Sequence, residues 1–177
     1  MYRIGGPELK RVEKIFESGD IFRYGHAGEC DKFEKDWGER TGTKYVRMVT
    51  SGTAAIYCAL VGLSVGPGDE VIVPAMTFVS TAHAVMYSSA KPIFADVDES
   101  SLTLDIEDVA SKLTARTRAI VPVHYGGVPS TWTASRRLLG AYRSSRMPRT
   151  RAVPSTRAEG AARSVTWVAS VFTPSRT

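Results

Sequence analysis

The sequence predicts an α/β protein with a mostly parallel β-sheet that helices cover on both faces. Between residues 45 and 123, apolar runs of about five residues alternate with helical patterns of about ten residues, which is typical of parallel strands joined by helices. The apolar runs do not alternate with polar residues, as expected for strands buried on both faces. Turns that contain glycine or proline separate several of these runs. These observations together predict the fold class.

The first 44 residues predict two helices and a loop. Pro7 suits a helix start, and apolar residues follow at helical spacing as far as Ser18-Gly19: Leu9, Val12, Ile15 and Phe16. A second helix is predicted over residues 29–40, with a loop or short extended piece between the two over residues 21–26.

The next 84 residues, 45–128, are predicted to form part of a larger α/β domain. The predicted strands are 45–49, 70–74, 92–95 and 119–123, and the predicted helices are 53–64, 77–87 and 106–113. Because the connections between these strands are helical crossovers, we expect most of the strands to be parallel.

The remaining residues, 129–177, have a different composition. They contain nine Arg, fifteen Ser and Thr, one acid and no Lys, a net charge of +8 against −3 for residues 1–128. Their hydrophobic residues show almost no periodicity, so we expect a disordered tail. The composition is typical of a shifted reading frame in a G+C-rich gene. The alternative is a non-catalytic protein whose Arg-rich tail binds nucleic acid.

Composition excludes several classes of protein. With 43% hydrophobic residues and two cysteines, the chain is neither wholly disordered nor a disulfide-stapled miniprotein. Cys30 and Cys58 form no CxxC pair, so no metal site is predicted, and lone cysteines suit a reducing cytoplasm. No signal-peptide pattern opens the sequence. The uncharged stretch 48–68 is long enough to cross a bilayer, but its glycines favour buried elements of a globular domain.

Ligands of α/β proteins bind beyond the carboxyl ends of the strands, which makes residues 50–55 and 74–78 the candidate site. Gly52 allows close approach of a ligand, and we expect free N–H groups near Thr53 and Ala54 at the helix N-terminus, a site suited to phosphate. The alternative is that Ser51 or Thr53 only caps the helix. The chain contains no GxGxxG or GxxxxGK[ST] motif, which disfavours dinucleotide and P-loop sites.

Seven short motifs occur in order between residues 51 and 126. They are Ser51–Ala55, Gly66–Pro74, Thr77–Thr81, Ala90–Phe94, Asp96–Asp98, Thr117–Ile120 and Pro122–Gly126. With these motifs, the stretch 48–127 resembles the DegT/DnrJ/StrS group of pyridoxal phosphate-dependent sugar aminotransferases. The resemblance implies part of the large domain of the fold type I transferase fold, the fold of aspartate aminotransferase.

The resemblance also implies roles for individual residues. Gly52, Thr53 and Ala54 would bind the phosphate of pyridoxal 5'-phosphate, and Phe78 would stack on its ring; alternatively, Phe78 is a core residue. His124 would face the same site or be an ordinary partly buried histidine. Residues 23–25 (Arg-Tyr-Gly) correspond to a loop that approaches the active site, often that of a partner subunit.

The implied reaction belongs to amino sugar biosynthesis. The substrate would be a keto sugar, free or nucleotide-linked, or a keto-cyclitol, with glutamate or glutamine as amino donor, and full-length relatives would be homodimers. The Schiff-base lysine and the acid that such enzymes need follow the His-x-Tyr-Gly region, but no Lys occurs after Lys112. Lys91 and Lys112 are predicted to be solvent-exposed. We therefore expect no catalytic residue in this chain, weak or absent cofactor binding and no turnover.

Overall fold

The computed structural model describes residues 5–19, 21 and 28–128. The loop residues Arg23, Tyr24 and Gly25 and the tail 129–177 lie outside these described residues, so the predictions made for them stay predictions. The chain divides into two compact units, with the boundary after Met48.

The first unit contains the two predicted helices, α1 (Gly6–Ser18) and α2 (Glu29–Thr41). The Glu8 carboxylate accepts a hydrogen bond from the Gly5 N–H at 2.8 Å, which caps the start of α1. Gly19 ends this helix in the left-handed conformation, with φ of 68°. Both helices are therefore confirmed, with boundaries close to those predicted.

The segment that follows α2 is held by a buried carboxylate. Glu34 accepts hydrogen bonds from the backbone N–H of Met48 at 2.7 Å and from the guanidinium of Arg47 at 3.0 Å. Residues 45–49 do not form the predicted strand. A strand needs a neighbour to pair its backbone groups, and the sheet of the described residues leaves this segment unpaired. That strand prediction was wrong.

The second unit is built on a three-stranded parallel sheet. Its strands are β1 (Glu70–Pro74), β2 (Lys91–Ala95) and β3 (Thr117–Ile120), in the order β2-β1-β3. Both pairings are parallel, and Ile72 at the centre lies opposite Ile93 and Ile120. The predicted parallel sheet is confirmed for these strands, although β3 begins and ends earlier than the predicted 119–123.

Helices cover both faces of this sheet, as predicted. Helices α3 (Gly52–Gly62) and α4 (Ser80–Tyr87) pack on one face, around Leu60, Val73 and Val85. Helix α5 (Ile106–Ser111) packs on the other face, where Val109 meets Ile72 and Ile120. No helix in the described part of the chain is both long enough and apolar enough to cross a membrane.

Chain connectivity fixes the direction of the helices. A short turn, with the Asp69 N–H bonded to the Gly66 carbonyl at 3.1 Å, joins the end of α3 to the start of β1. An 11-residue helix and a five-residue strand are each about 17 Å long. Ile56 and Leu60 of α3 pack in the same core cluster as Val71 and Val73 of β1, so the helix runs back over the sheet and its N-terminus lies toward the carboxyl end of that strand. The loop 75–79 begins at the same end.

The amino ends of β1 and β3 are joined by a buried carboxylate, Glu70. Its oxygens accept hydrogen bonds from the Thr114 hydroxyl at 2.5 Å and from two guanidinium nitrogens of Arg116 at 2.6 and 2.9 Å. The backbone N–H of Glu70 also donates to the Arg116 carbonyl at 2.8 Å. Beside it, Asp69 pairs with Arg118 at 3.2 Å. These contacts hold the two strands together at one end.

The hydrogen bonds from Thr114 and Arg116 hold the pKa of Glu70 below its usual value. A carboxylate with a lowered pKa in the folded state stabilises the fold above its unfolded pKa of about 4.3. That stabilisation is lost as the pH falls through the folded pKa.

We expect Glu70→Gln to lower the free energy of unfolding by about 1–3 kcal/mol at pH 7, because it removes a buried charge-assisted hydrogen-bond acceptor. At a pH below the folded pKa, the native carboxyl is also neutral and the difference should vanish. Urea unfolding across this pH range measures both effects. Glu107→Gln, at an exposed position of α5, is the matched control. Equal stability at pH 7 would contradict the assigned role.

Candidate cofactor-binding site

The N-terminus of α3 is capped by Ser51. Its hydroxyl oxygen accepts a hydrogen bond from the Ala54 N–H at 3.1 Å, and its own backbone is extended. The sequence analysis left Ser51 and Thr53 as alternative caps of this helix. The structure shows that Ser51 is the cap. The expectation of a free N–H at Ala54 was wrong, because the cap already satisfies this donor.

Two N–H groups of the first turn remain available to a ligand. Within the part of the chain that the structure describes, neither the N–H of Gly52 nor that of Thr53 has a hydrogen-bond acceptor. The Thr53 hydroxyl makes no hydrogen bond there either, and its side chain is half-buried. Because the positive end of the helix dipole adds to these donors, the turn favours a bound anion.

Phe78 lies in the loop that leaves the carboxyl end of β1. The Ala75 N–H donates to the Ala95 carbonyl at 2.7 Å, which anchors the start of this loop to the end of β2. The Phe78 side chain is 65% exposed, so the alternative that it is a core residue is wrong. Its stacking on a cofactor ring stays a prediction.

A pair of threonines that the sequence analysis did not single out holds the other end of this loop. The hydroxyls of Thr77 and Thr81 lie 3.1 Å apart, and Thr81 is buried in the first turn of α4. The sequence signal for this contact is the spacing of four residues between the two threonines where the helix begins, because this spacing brings side chains on a helix next to each other. The pair fixes the backbone on both sides of Phe78.

His124 follows β3 at the same end of the sheet. Its side chain is half-buried, and this burial lowers the pKa of the imidazole. A lowered pKa keeps the ring neutral at pH 7, so that one ring nitrogen can accept a proton and the other can donate one. The role of His124 toward a ligand stays a prediction.

The two lysines of the second unit lie at the opposite end of the strands. Lys91 is the first residue of β2, paired in register with Glu70 at the amino end. Lys112 follows α5 and pairs with Asp108 at 2.5 Å. A five-residue strand separates the two ends by about 17 Å. Neither lysine therefore reaches the turn at Gly52 and Thr53.

This arrangement fits one end of pyridoxal phosphate. The first turn of α3 offers donors for the phosphate, and exposed Phe78 offers an aromatic face at the same end of the sheet. Neither lysine of the second unit lies at that end, and the described residues contain no cluster of three or more acids, histidines or cysteines that could hold a metal ion. Binding of an anion at this turn and of a planar ring at Phe78, and the absence of a Schiff-base lysine from the site, stay predictions.

We expect Ser51→Ala to lower the free energy of unfolding by about 1 kcal/mol, because the Ala54 N–H loses its acceptor. Thr53→Ala is the matched control: it removes a hydroxyl from the same turn that bonds to no described residue, so the stability should stay within about 0.5 kcal/mol. Chemical denaturation measures both. Equal effects of the two substitutions would contradict the assignment of the cap to Ser51.

Comparisons with known proteins identify the family of the chain. The model of the DegT/DnrJ/EryC1/StrS aminotransferase family matches residues 3–142. The spore coat polysaccharide biosynthesis protein SpsC of Bacillus subtilis is 40% identical over 124 residues, which are 70% of this chain and 31% of SpsC.

Solved structures agree as well. An aminotransferase from Psychrobacter cryohalolentis is 32% identical, with a TM-score of 0.75, over 80% of this chain and 35% of its own. The putative sugar aminotransferase Spr1654 from Streptococcus pneumoniae, solved in a PMP-form, is 27% identical, with the same TM-score and coverage. The fold is that of fold type I pyridoxal phosphate-dependent aminotransferases.

The chain spans about a third of the length of these relatives. The family match nevertheless covers most of the chain, including every described helix and strand. The chain belongs to the DegT/DnrJ/EryC1/StrS aminotransferase family.

Proposed function

We propose that this chain is the N-terminal part of an aminotransferase that transfers an amino group from glutamate or glutamine to a keto sugar, free or nucleotide-linked, or to a keto-cyclitol. The whole protein would act in the cytoplasm, as a homodimer, in amino sugar biosynthesis. The observation that carries the proposal is the first turn of α3, where the N–H groups of Gly52 and Thr53 have no acceptor among the described residues and lie at the carboxyl end of the sheet. In a chain of this family, such a turn is suited to a cofactor phosphate.

The described residues would bind and orient the cofactor. The N–H groups of Gly52 and Thr53 would donate to the phosphate, Ala54 would line the same turn, and the Thr53 hydroxyl would add a donor. Phe78 would hold the plane of the ring, since stacking of this kind contributes about 0.5–1.5 kcal/mol beyond burial. When bound, pyridoxal phosphate supplies the carbonyl group that accepts the amino group and passes it on.

The energies of these contacts predict weak binding. A charge at a helix end contributes about 0.3–1 kcal/mol when exposed and up to about 2 when partly buried. With 1.4 kcal/mol for each tenfold in affinity, this contribution alone corresponds to a dissociation constant of about tens of millimolar at best. We therefore propose that the chain holds the cofactor weakly or not at all and has no turnover alone.

We expect no stable covalent link between pyridoxal phosphate and Lys91 or Lys112, because both lie at the end of the sheet opposite to the candidate site. The chain is incubated with the cofactor at millimolar concentration, reduced with borohydride and digested, and mass spectrometry locates any modified lysine. Amino transfer to a keto sugar should also be absent. Stoichiometric label on one of the two lysines, lost in the Lys→Arg variant, would contradict the proposal.

A chimera tests the proposed function itself. Residues 1–127 would replace the matching segment of the Bacillus subtilis relative, whose remaining two thirds complete the chain. We expect this chimera to bind pyridoxal phosphate, as followed by absorbance, and to aminate a keto sugar with glutamate or glutamine.

In the chimera, we expect Phe78→Ala to weaken cofactor binding about threefold to tenfold, which corresponds to the loss of ring stacking. Phe94→Ala is the matched control, since this exposed phenylalanine lies in edge strand β2. A folded chimera that binds no cofactor would contradict the proposal. Equal effects of the two substitutions would contradict only the role of Phe78.

A further inference from the structure

The exposed ring of Phe78 takes its direction from the backbone that carries it. Within the part of the chain that the structure describes, this ring contacts no other aromatic ring, and 65% of the side chain is exposed. Side chains in a core are fixed by close packing on every side, whereas a side chain exposed to this degree is packed on only a small part of its surface. The contacts that hold the loop 75–79 therefore decide where the ring lies.

Thr81 contacts this loop on both sides of the Phe78 side chain. Its hydroxyl lies 3.1 Å from the hydroxyl of Thr77, the residue before Phe78. Its backbone N–H donates to the carbonyl of Phe78 itself at 3.1 Å. One residue of α4 thus holds the backbone that enters Phe78 and the backbone that leaves it.

The contact between the two hydroxyls replaces a helix cap. The N-cap position of α4, Val79, makes no side-chain hydrogen bond to the first turn. Thr81 is only 1% exposed, so its hydroxyl needs a partner inside the protein. A threonine in a helix can bond to the carbonyl four residues earlier, but here the hydroxyl meets the side chain of that residue, Thr77. The buried hydroxyl therefore ties the loop to the helix.

We propose that Thr81 is a positioning residue for cofactor binding, which holds Phe78 where its ring stacks on the ring of pyridoxal phosphate. The inference rests on the proposed function and adds to it a residue that is buried and acts through Phe78. The competing explanation is that the two hydroxyls only stabilise the first turn of α4. In that case, the effect of losing the Thr81 hydroxyl would not depend on the presence of the Phe78 ring.

A double-mutant cycle in the chimera with the Bacillus subtilis relative separates the two explanations. The probe is pyridoxine 5'-phosphate, which carries the ring and the phosphate but no aldehyde and so cannot bond to a lysine. We expect Thr81→Val to weaken its binding about threefold, and by no more than Phe78→Ala, because only the stacking is lost. Thr81→Ser keeps the hydroxyl and should restore the affinity. In a Phe78→Ala chimera, Thr81→Val should have no further effect, because the ring that it positions is gone.

Thr103→Val is the matched control for this cycle. Thr103 belongs to the same unit and is also 1% exposed, and its hydroxyl lies 2.9 Å from that of Ser101, outside the loop 75–79. The control removes the same group from an equally buried position, so a general effect of stability on binding would appear in both variants. We expect it to change the affinity for the probe less than about 1.5-fold. Circular dichroism confirms that each variant is folded.

Hydrogen exchange of the full 177-residue chain tests the positioning without any ligand. The amide of residue 81 is bonded to the Phe78 carbonyl, and the amide of Val121, beside β3, is bonded to the Ile72 carbonyl at 2.9 Å. We expect Thr81→Val to lower the protection factor of amide 81 about fivefold and to leave that of Val121 unchanged, because only the loop opens more often. Thr81→Ser should leave both protection factors unchanged.

Several results would overturn the inference. These are an equal loss of affinity from Thr81→Val with and without the Phe78 ring, no rescue by Thr81→Ser, an equal loss from Thr103→Val, or an unchanged protection factor at residue 81. If Phe78→Ala weakens binding and Thr81→Val does not, the inference fails and the proposed function stands. A folded chimera that binds no probe in any variant would overturn both.

Discussion

The described sheet depends on one buried carboxylate. Glu70 is the first residue of the central strand, β1. Its carboxylate oxygens accept hydrogen bonds from the Thr114 hydroxyl and the Arg116 guanidinium, which lie in the turn before β3. Burying a carboxylate is costly unless its partners are in place, so another pairing of β1 and β3 would leave this charge unsatisfied. The contact therefore selects one register. That register brings the carboxyl ends of the strands, where ligands bind, to a common edge.

The two ends of the strands have different roles: the amino ends carry ionic contacts, and the carboxyl ends carry the candidate site. The motifs of the family therefore do not all belong to the site. Asp69, Glu70 and Arg118 are among the residues that carry the resemblance, but they form the ionic contacts at the amino ends of the strands. The motif that starts at Ser51 and the one that contains Phe78 lie at the carboxyl ends. A family resemblance alone does not separate these two kinds of residue, whereas the direction of the strands does.

A structural feature could be predicted from the sequence where its physical cause lies within a few neighbouring residues of the chain. The run 70–74 is apolar after its first residue, Glu70, and needed no partner to be recognised as a buried strand. The run 45–49 looks similar, but pairing is a non-local property, and no described segment pairs with it. Residue type limited the possible cap of α3 to Ser51 or Thr53. The decision between them needed the backbone geometry, in which Ser51 is extended and its side chain accepts from the Ala54 N–H.

The affinity of the turn at Gly52 and Thr53 for an anion depends on how far that turn is buried. A helix N-terminus in water attracts an anion weakly, and the attraction grows about twofold or more when the site is partly buried. The turn at Gly52 and Thr53 therefore gains affinity for a phosphate only when something covers the carboxyl ends of the strands.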